Sequence, residues 1–352
     1  MGGMTMRKKL CLLPAAILIF SLTACGARVQ KFETVFTGLF DTVTTLTAYA
    51  ESREDFDRYA GIVHTRLKEL HELFDIYNAY EGVNNLYTVN ENAGVAPVIV
   101  GWEIIDMLVL ARVGYDLSGG AFNVALGPVL RIWHEYRTEG TALPPMDALR
   151  EAAGLTDMDD VIIDRESSTV FLRKPGMSLD VGAVAKAYAA DRAVWDVRTA
   201  GLPAGILDAG GNIITIGTPP DRGRELWNIG IQNPGPDADD TQTLLDTVRV
   251  GQTSVSSSGG YQRFYTVDGA AYHHIIDPET LMPAGRFKQV TVIHPNAATA
   301  DILSTALFIL PYWEGYAMAE TFGAEVLWAD MNDTRHMTQG YAAASTSQGV
   351  RP

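Results

Sequence analysis

The sequence predicts an α+β fold, a single large domain in which mixed and antiparallel sheets pack against helices. Three observations lead there. Strand-like and helix-like stretches are mixed along the 352 residues without the regular βαβ rhythm of a doubly wound sheet. The composition, 47% apolar and 20% charged, is enough to bury a real core and argues against disorder. No internal repeat at a period of about 20 to 50 residues is visible.

The elements follow in order. Residues 35–49, where Thr42, Thr44, Thr45 and Thr47 interleave with apolar side chains, read as a strand. A helix is expected over about 54–74, because Phe56, Tyr59, Val63, Leu67, Leu70 and Phe74 recur at three- and four-residue steps. Residues 102–115 repeat that pattern, 147–153 form a short helix, and 161–164 with 170–173 suggest a hairpin. A helix over 183–199 stops at Gly201. From 205 to 294 the chain is strand-rich, with turn signals at Gly210-Gly211, Pro219-Pro220, Pro234-Gly235-Pro236 and Asp268-Gly269. Helices over 299–310 and 313–322 and a strand over 324–328 close the domain, and residues 341–352 read as a flexible tail.

The first residues describe an export signal. Arg7, Lys8 and Lys9 precede an apolar run that is too short to span a membrane and ends in Leu22-Thr23-Ala24-Cys25. That ending resembles a bacterial lipoprotein signal, in which the cysteine is lipidated. The organisation expected is therefore a signal over 1–24, lipidation at Cys25, a tether over 25–34 and a domain over 35–340, on a protein held at the extracytoplasmic face of the cell membrane.

Charge and cysteine content exclude other classes. The chain has 42 acidic and 27 basic residues, a formal charge of −15, so it lacks the basic footprint that nucleic-acid binding needs. Loss of three cations with the signal leaves 24 against 42, or −18. Two cysteines cannot staple a fold of this size, and with one in the signal and one under lipid, chemistry must use oxygen and nitrogen.

Four constellations stand out. Asp180, Ala183 and Lys186 lie at the start of a helix, where backbone amides attract anions; an N-cap aspartate with an exposed lysine fits the same pattern. Gly210-Gly211 either lets backbone approach a ligand closely or serves only a turn. Ser254 to Arg263 precedes Tyr272 to Pro278, placing hydroxyls and glycines near His273 and His274. Adjacent strand residues point to opposite faces, so one histidine, His274, is expected at a ligand and the pair is not expected to share one ion. Asp301, Ser304 and Thr305 share one helical face. Such hard oxygens suit Mg²⁺ completed by substrate phosphates, and a helix cap at Asp301 competes with that reading.

Taken together and in this order, these segments resemble the ApbE family, the FAD:protein FMN transferases, from about residue 36 to 327. The early family motif is met by Phe40-Asp41-Thr42 and the flavin-stacking loop by Tyr77. Ser118 to Asn123, Asp180 to Tyr188, Gly210-Gly211, Ser257 to Arg263, His274 to Pro278 and Ala300 to Thr305 meet the others. The resemblance implies a flavin site lined by Phe40, Tyr77, Ala121, Phe122, Asn123, Asp180, Lys186, Gly211 and Ile276. It also implies Mg²⁺ held by Asp301, Ser304, Thr305 and the Ala183 carbonyl. Asn123 stands where the family has Asp, Ser257 where it has Thr, and Leu281-Met282 where it has Thr-Gly.

The implied activity is Mg²⁺-dependent transfer of FMN from FAD to a threonine or serine hydroxyl of an acceptor protein, with release of AMP. The acceptors implied are extracytoplasmic domains of flavin-carrying redox complexes. Asp301 and His274 are the candidates for catalytic proton transfer. FAD hydrolysis to FMN and AMP, and lipid-anchored flavin storage without catalysis, are the other readings of the same site.

Overall fold

The computed structural model describes residues 29–221, 223–235, 244–261 and 263–347. The signal, Cys25 and the first part of the tether lie outside them. Strand β1 (Gln30–Leu39) and β2 (Thr42–Ala50) form a hairpin where a single strand over 35–49 was expected. Phe40 and Asp41 reverse the chain with φ of 54° and 50°, the left-handed pair that a two-residue hairpin turn needs. Because β1 begins at Gln30, residues 30–34 belong to the sheet and not to a tether.

Helix α1 (Arg53–Phe74) has the expected apolar stripe, and the Ser52 side chain caps it by accepting from Asp55 N. Helix α2 (Leu86–Glu91) and strand β3 (Val98–Ile99) lead into α3 (Trp102–Leu117). Helix α4 (Gly127–Glu139) has no counterpart among the expected elements and is followed by α5 (Met146–Ala153). Strands β4 (Val161–Asp164) and β5 (Thr169–Leu172) make the expected hairpin, joined at its edge by β3. Helix α6 (Ala185–Thr199) starts two residues later than expected.

The strand-rich stretch supplies β6 (Ala204–Ala209), β7 (Asn212–Ile216), β8 (Trp227–Gln232), β9 (Leu244–Val250) and β10 (Ser254–Gly259). It continues with β11 (Phe264–Val267), β12 (Ala270–His273) and β13 (Phe287–His294). Helices α7 (Ala297–Ile309) and α8 (Tyr312–Phe322), strands β14 (Glu325–Asp330) and β15 (Arg335–Met337), and helix α9 (Gln339–Ala344) complete the described chain.

Eight strands, in the order β1-β2-β6-β7-β10-β13-β14-β15, form one sheet, and every pairing between named strands is antiparallel. Alternation along each strand sends Leu46, Leu207, Ile214, Val290 and Val326 to one face, where α1, α3, α6 and α7 bury them in the main core. The opposite residues, among them Ile206, Val255 and Leu327, pack under the β8–β9 hairpin and α9. A third cluster, built on Trp133, Leu149, Tyr265 and Ile276, ties α4 and α5 to the β11–β12 hairpin. The helices behind the sheet and this third cluster bracket the site described below.

The expected tail is corrected by α9. Tyr341 is fully buried against the second sheet face, and Ser345 Oγ donates to the buried Asp246 carboxylate at 2.7 Å. Ala342, Ala343 and Ala344 look featureless in sequence, but one large aromatic is enough to dock the segment. Tyr341→Ala is expected to destabilise the protein by about 3 to 5 kcal/mol in chemical denaturation, the range for emptying a large aromatic site. Tyr341→Phe should be neutral or stabilising, because the buried Oη has no hydrogen-bond partner.

Candidate functional site

The floor of the site is α7 lying across the sheet. Its N-cap is Asn296, whose side chain accepts from Thr299 N. Asp301 therefore lies inside the helix, and the capping alternative for it is overturned. Asp301 is buried and accepts one side-chain hydrogen bond among the described residues, from Asn212 Nδ2 at 3.3 Å. Burial raises its carboxyl to about 6, opposed by the Lys186 charge and the Asn212 bond.

Beside Asp301, Ser304 Oγ donates to the Asp301 carbonyl at 2.9 Å and meets Ser258 Oγ at 2.8 Å. Ser258 Oγ also lies 3.4 Å from Thr305 Oγ1. The expected face of Asp301, Ser304 and Thr305 is thus formed, with Ser258 of β10 against it. Ser256, two residues back on the same side of β10 and paired with Asn212 in register, has a buried Oγ with no partner.

This floor fits a hard cation. A desolvated carboxylate with one long hydrogen bond and an orphaned buried hydroxyl nearby are oxygen sites short of a partner. Among the described residues no three His, Cys, Asp or Glu side chains cluster as ligands, so a cation here would rest on one carboxylate, neutral oxygens and groups from its substrate, the habit of Mg²⁺.

The wall comes from the segment before α6. Asp180 Oδ1 accepts from Gly182 N at 2.9 Å, folding 180–184 into a turn, and Asp180 N donates to Val124 O at 2.8 Å. That turn is why the helix begins at Ala185 and not at 183. Lys186 Nζ donates to the Gly182 carbonyl, and its charge is felt by both Asp301 and His274. The Ala183 carbonyl takes no backbone hydrogen bond among the described residues, which leaves it able to act as an oxygen ligand. Gly210 (φ 63°) is required sterically, since a Cβ there would lie 2.2 Å from Thr42 Oγ1. Gly211 donates its N–H to Asp208 Oδ1 at 2.9 Å, and a Cβ placed on it would meet open space.

Tyr77 and the β1–β2 turn form the mouth. Asp75 holds the Tyr77 loop by accepting from Tyr77 N, Asn78 N, Asn78 Nδ2 and Tyr80 Oη. Burial alone would raise the Asp75 carboxyl, but these bonds, led by Asn78, hold it below its usual range. The Tyr77 ring is 66% exposed and lies 6.3 Å from the His134 ring on α4. Phe40 packs edge-on against His71 and donates its backbone N–H to His71 Nδ1. Arg263 ties the mouth together, donating to the Asp41 carbonyl at 2.8 Å.

Four residues of the expected flavin lining have structural tasks. Phe122 is buried under α3 and α7, where a Cβ on Gly114 would collide with Ile302 and crowd Phe122. Ala121, partly buried, packs against the same core. Asn123 accepts from Ala125 N at 2.8 Å and donates to Thr156 O at 2.9 Å, retaining one lone pair and one N–H. Ile276 is buried in the third cluster and bridges to Pro283. Leu281, where a family Thr stands, adopts φ 61° and is held by Trp133 Nε1 donating to its carbonyl at 2.9 Å.

The two histidines differ in their partners, although His274 lies one residue beyond β12 and the expected strand alternation does not reach it. His273 Nε2 lies 2.8 Å from Ala284 O, and its Nδ1 accepts from Ile275 N, so its ring is engaged at both nitrogens. His274 Nδ1 is buried with no partner. Burial, reinforced by the charges of Arg263, His273, Lys186 and Arg137, lowers His274 to about 3. Arg137 on α4, with Asn212 and Ser256 on the sheet, are residues that motif reading did not single out. Asn212 directly follows the glycine pair, which was a usable signal; α4 offered none.

Fold and site together give the features that suit an anionic ligand with a flat ring: an oxygen-rich floor that fits a cation, three basic side chains whose charges reach a neutral histidine, and an exposed tyrosine. The ApbE family pattern matches residues 40–328, and the chain belongs to that family. An FAD:protein FMN transferase of Treponema pallidum (strain Nichols) is 35% identical over 281 residues, spanning 75% of this chain and 76% of that protein. An FAD:protein FMN transferase of Klebsiella pneumoniae (strain 342) is 32% identical over 244 residues, spanning 69% of this chain and 73% of that protein. The crystal structure of the ApbE protein from Thermotoga maritima MSB8 is similar, with a TM-score of 0.80 and 26% identity over 90% of this chain and 99% of that one.

Proposed function

We propose that the protein transfers FMN from FAD to a threonine or serine hydroxyl of an acceptor protein and releases AMP. The observation that carries this reading is His274, a neutral imidazole within reach of the charges of Lys186, Arg137 and Arg263, with Lys186 also acting on the under-paired buried carboxylate of Asp301. Such a site suits a reaction in which a pyrophosphate arrives and a hydroxyl loses its proton.

In this mechanism the acceptor oxygen attacks the FMN-side phosphorus, the bond from that phosphorus to the AMP oxygen breaks, and AMP leaves with the electron pair. Lys186 and the two arginines orient the phosphates and offset their charge. His274 takes the hydroxyl proton at Nε2, which requires the tautomer with its proton on the buried Nδ1. Burial is the main cause of the depressed His274 and persists, but the part due to the cations is offset once the pyrophosphate is in place, which returns some basicity to the ring. Mg²⁺, held by Asp301, Ser304, Thr305 and the Ala183 carbonyl, would supply charge neutralisation and alignment at the pyrophosphate.

The export signal extends the reading to a lipoprotein anchored through Cys25, acting on extracytoplasmic domains of redox complexes. Among the described residues no helix is long and apolar enough to cross a membrane, so this attachment rests on the lipid. Incubating the protein with FAD, Mg²⁺ and a candidate acceptor, then weighing the acceptor by mass spectrometry, tests the proposal. An acceptor heavier by one FMN, with equimolar AMP, is the expected result. FMN and AMP with an unmodified acceptor would show a hydrolase, and unchanged FAD would show a storage protein.

A further inference from the structure

Arg137 has no acidic partner in an acid-rich chain. It sits in the last turn of α4, half-buried, with one side-chain hydrogen bond among the described residues, between Nη2 and His134 Nδ1 at 2.9 Å. No carboxylate of the described residues lies within ion-pair distance of it, although the chain carries 42 acidic residues, whereas Arg263 has the exposed Asp41 carboxylate at 3.5 Å. Its hydrogen-bond partner His134 packs against Tyr77, which places Arg137 beside the mouth. Arg263 enters from the other side, fixed to the Asp41 carbonyl.

The two guanidinium groups oppose one another. Burial first, and then the Arg263 charge, push Arg137 below its usual range, and the negative charges of Asp180 and Asp41 only partly compensate. Each arginine also acts on Tyr77 and on His274, so the pair lies within electrostatic reach of both the ring expected to stack the flavin and the imidazole expected to take the acceptor proton. Like charges held together in a half-buried cleft are relieved by an anion, and paired guanidinium groups match a phosphate's oxygens. Between the flavin ring and the bond that breaks, the ribityl chain is neutral and the FMN phosphate is the charged group.

We propose that Arg137 and Arg263 form a two-guanidinium seat for the FMN phosphate, and that Arg137 makes this protein selective for phosphorylated flavins. The inference rests on the FAD reading above and deepens it.

Titrating riboflavin, FMN and FAD against the full-length protein by flavin fluorescence tests it directly. Arg137→Met should weaken FMN and FAD binding by roughly 10- to 100-fold, the worth of a charge-assisted hydrogen-bond pair, while riboflavin affinity stays within about twofold. Arg137→Lys should fall between, keeping the charge but losing the fork, and it decides the question should the methionine variant not fold. Unchanged FMN and FAD affinity overturns the proposal, as does an equal loss for riboflavin or a loss confined to the KM for the acceptor. Failure of the wild-type protein to bind FAD would instead remove the proposed function.

Discussion

Asp301→Asn is expected to lower flavin transfer by about three orders of magnitude, roughly 4 kcal/mol of transition-state stabilisation, without unfolding the protein. The amide keeps the shape of the carboxylate but removes its charge from an oxygen-rich floor that otherwise offers hydroxyls, an amide and a carbonyl. The stability of the two proteins should diverge with pH. In the wild type the buried Asp301 carboxyl is raised from 3.8 to about 6. A raised carboxyl contributes stability that is fully present below its unfolded value and is lost as pH rises through the folded value, here between about 4 and 6. In metal-free protein that loss is on the order of 3 kcal/mol, and Asp301→Asn should lack it. Added Mg²⁺ should therefore raise the melting temperature of the wild type at pH 7 to 8 and leave the variant unmoved. Transfer at full rate by Asp301→Asn, or an equal Mg²⁺ response in both proteins, would remove Asp301 from the metal site.

His274→Ala is expected to reduce transfer by about 10²- to 10⁴-fold, the usual contribution of a general base, with FAD affinity little changed. The alternative for this residue is packing, since Nδ1 is buried and His274 directly follows β12. Added imidazole separates the two roles: a missing proton acceptor is replaced by imidazole in the emptied space, whereas a missing packing element is not. The wild-type rate should also fall at acidic pH as His274 becomes protonated. That limb should lie above pH 3 in the FAD-bound enzyme, because burial and then the nearby cations lower the free imidazole to about 3 and the bound pyrophosphate offsets the cationic part. A His274→Ala enzyme of wild-type activity, or one whose loss is matched by a loss of FAD binding, would contradict the assignment.

The legible part of this site is the part whose geometry is local. Asp301, Ser304 and Thr305 occupy one face because a helix repeats every 3.6 residues, and Asp180 stands near Lys186 because a short turn opens the same helix. The same locality explains the misreadings. A run of β-formers over 35–49 conceals a turn, since Phe40 and Asp41 both adopt left-handed backbone, which Asp tolerates but a bulky Phe does not advertise. Helix α4, which begins Gly127-Pro128 and interleaves Arg131, His134, Glu135 and Arg137 with its apolar residues, was missed, and Arg137 was missed with it. The alanines of α9 resemble a tail because their docking is the work of Tyr341 and of Ser345, which reaches Asp246 across 99 residues.

Residue order along the chain thus settled the class of fold, the motifs and the chemistry of the floor, all of which depend on spacings of a few residues. Contacts across the chain settled how those motifs act. Asn212 reaches Asp301 over 89 residues and Ser258 reaches Ser304 over 46, pairings made by the order of strands in the sheet and not by any local pattern. The same long-range packing sets the Arg263 charge against Arg137, which forms no ion pair among the described residues, while Arg263 keeps Asp41 at 3.5 Å. The burial that raises Asp301 against the Lys186 charge, and the burial and cations that hold His274 neutral, arise only once distant segments share one low-dielectric space.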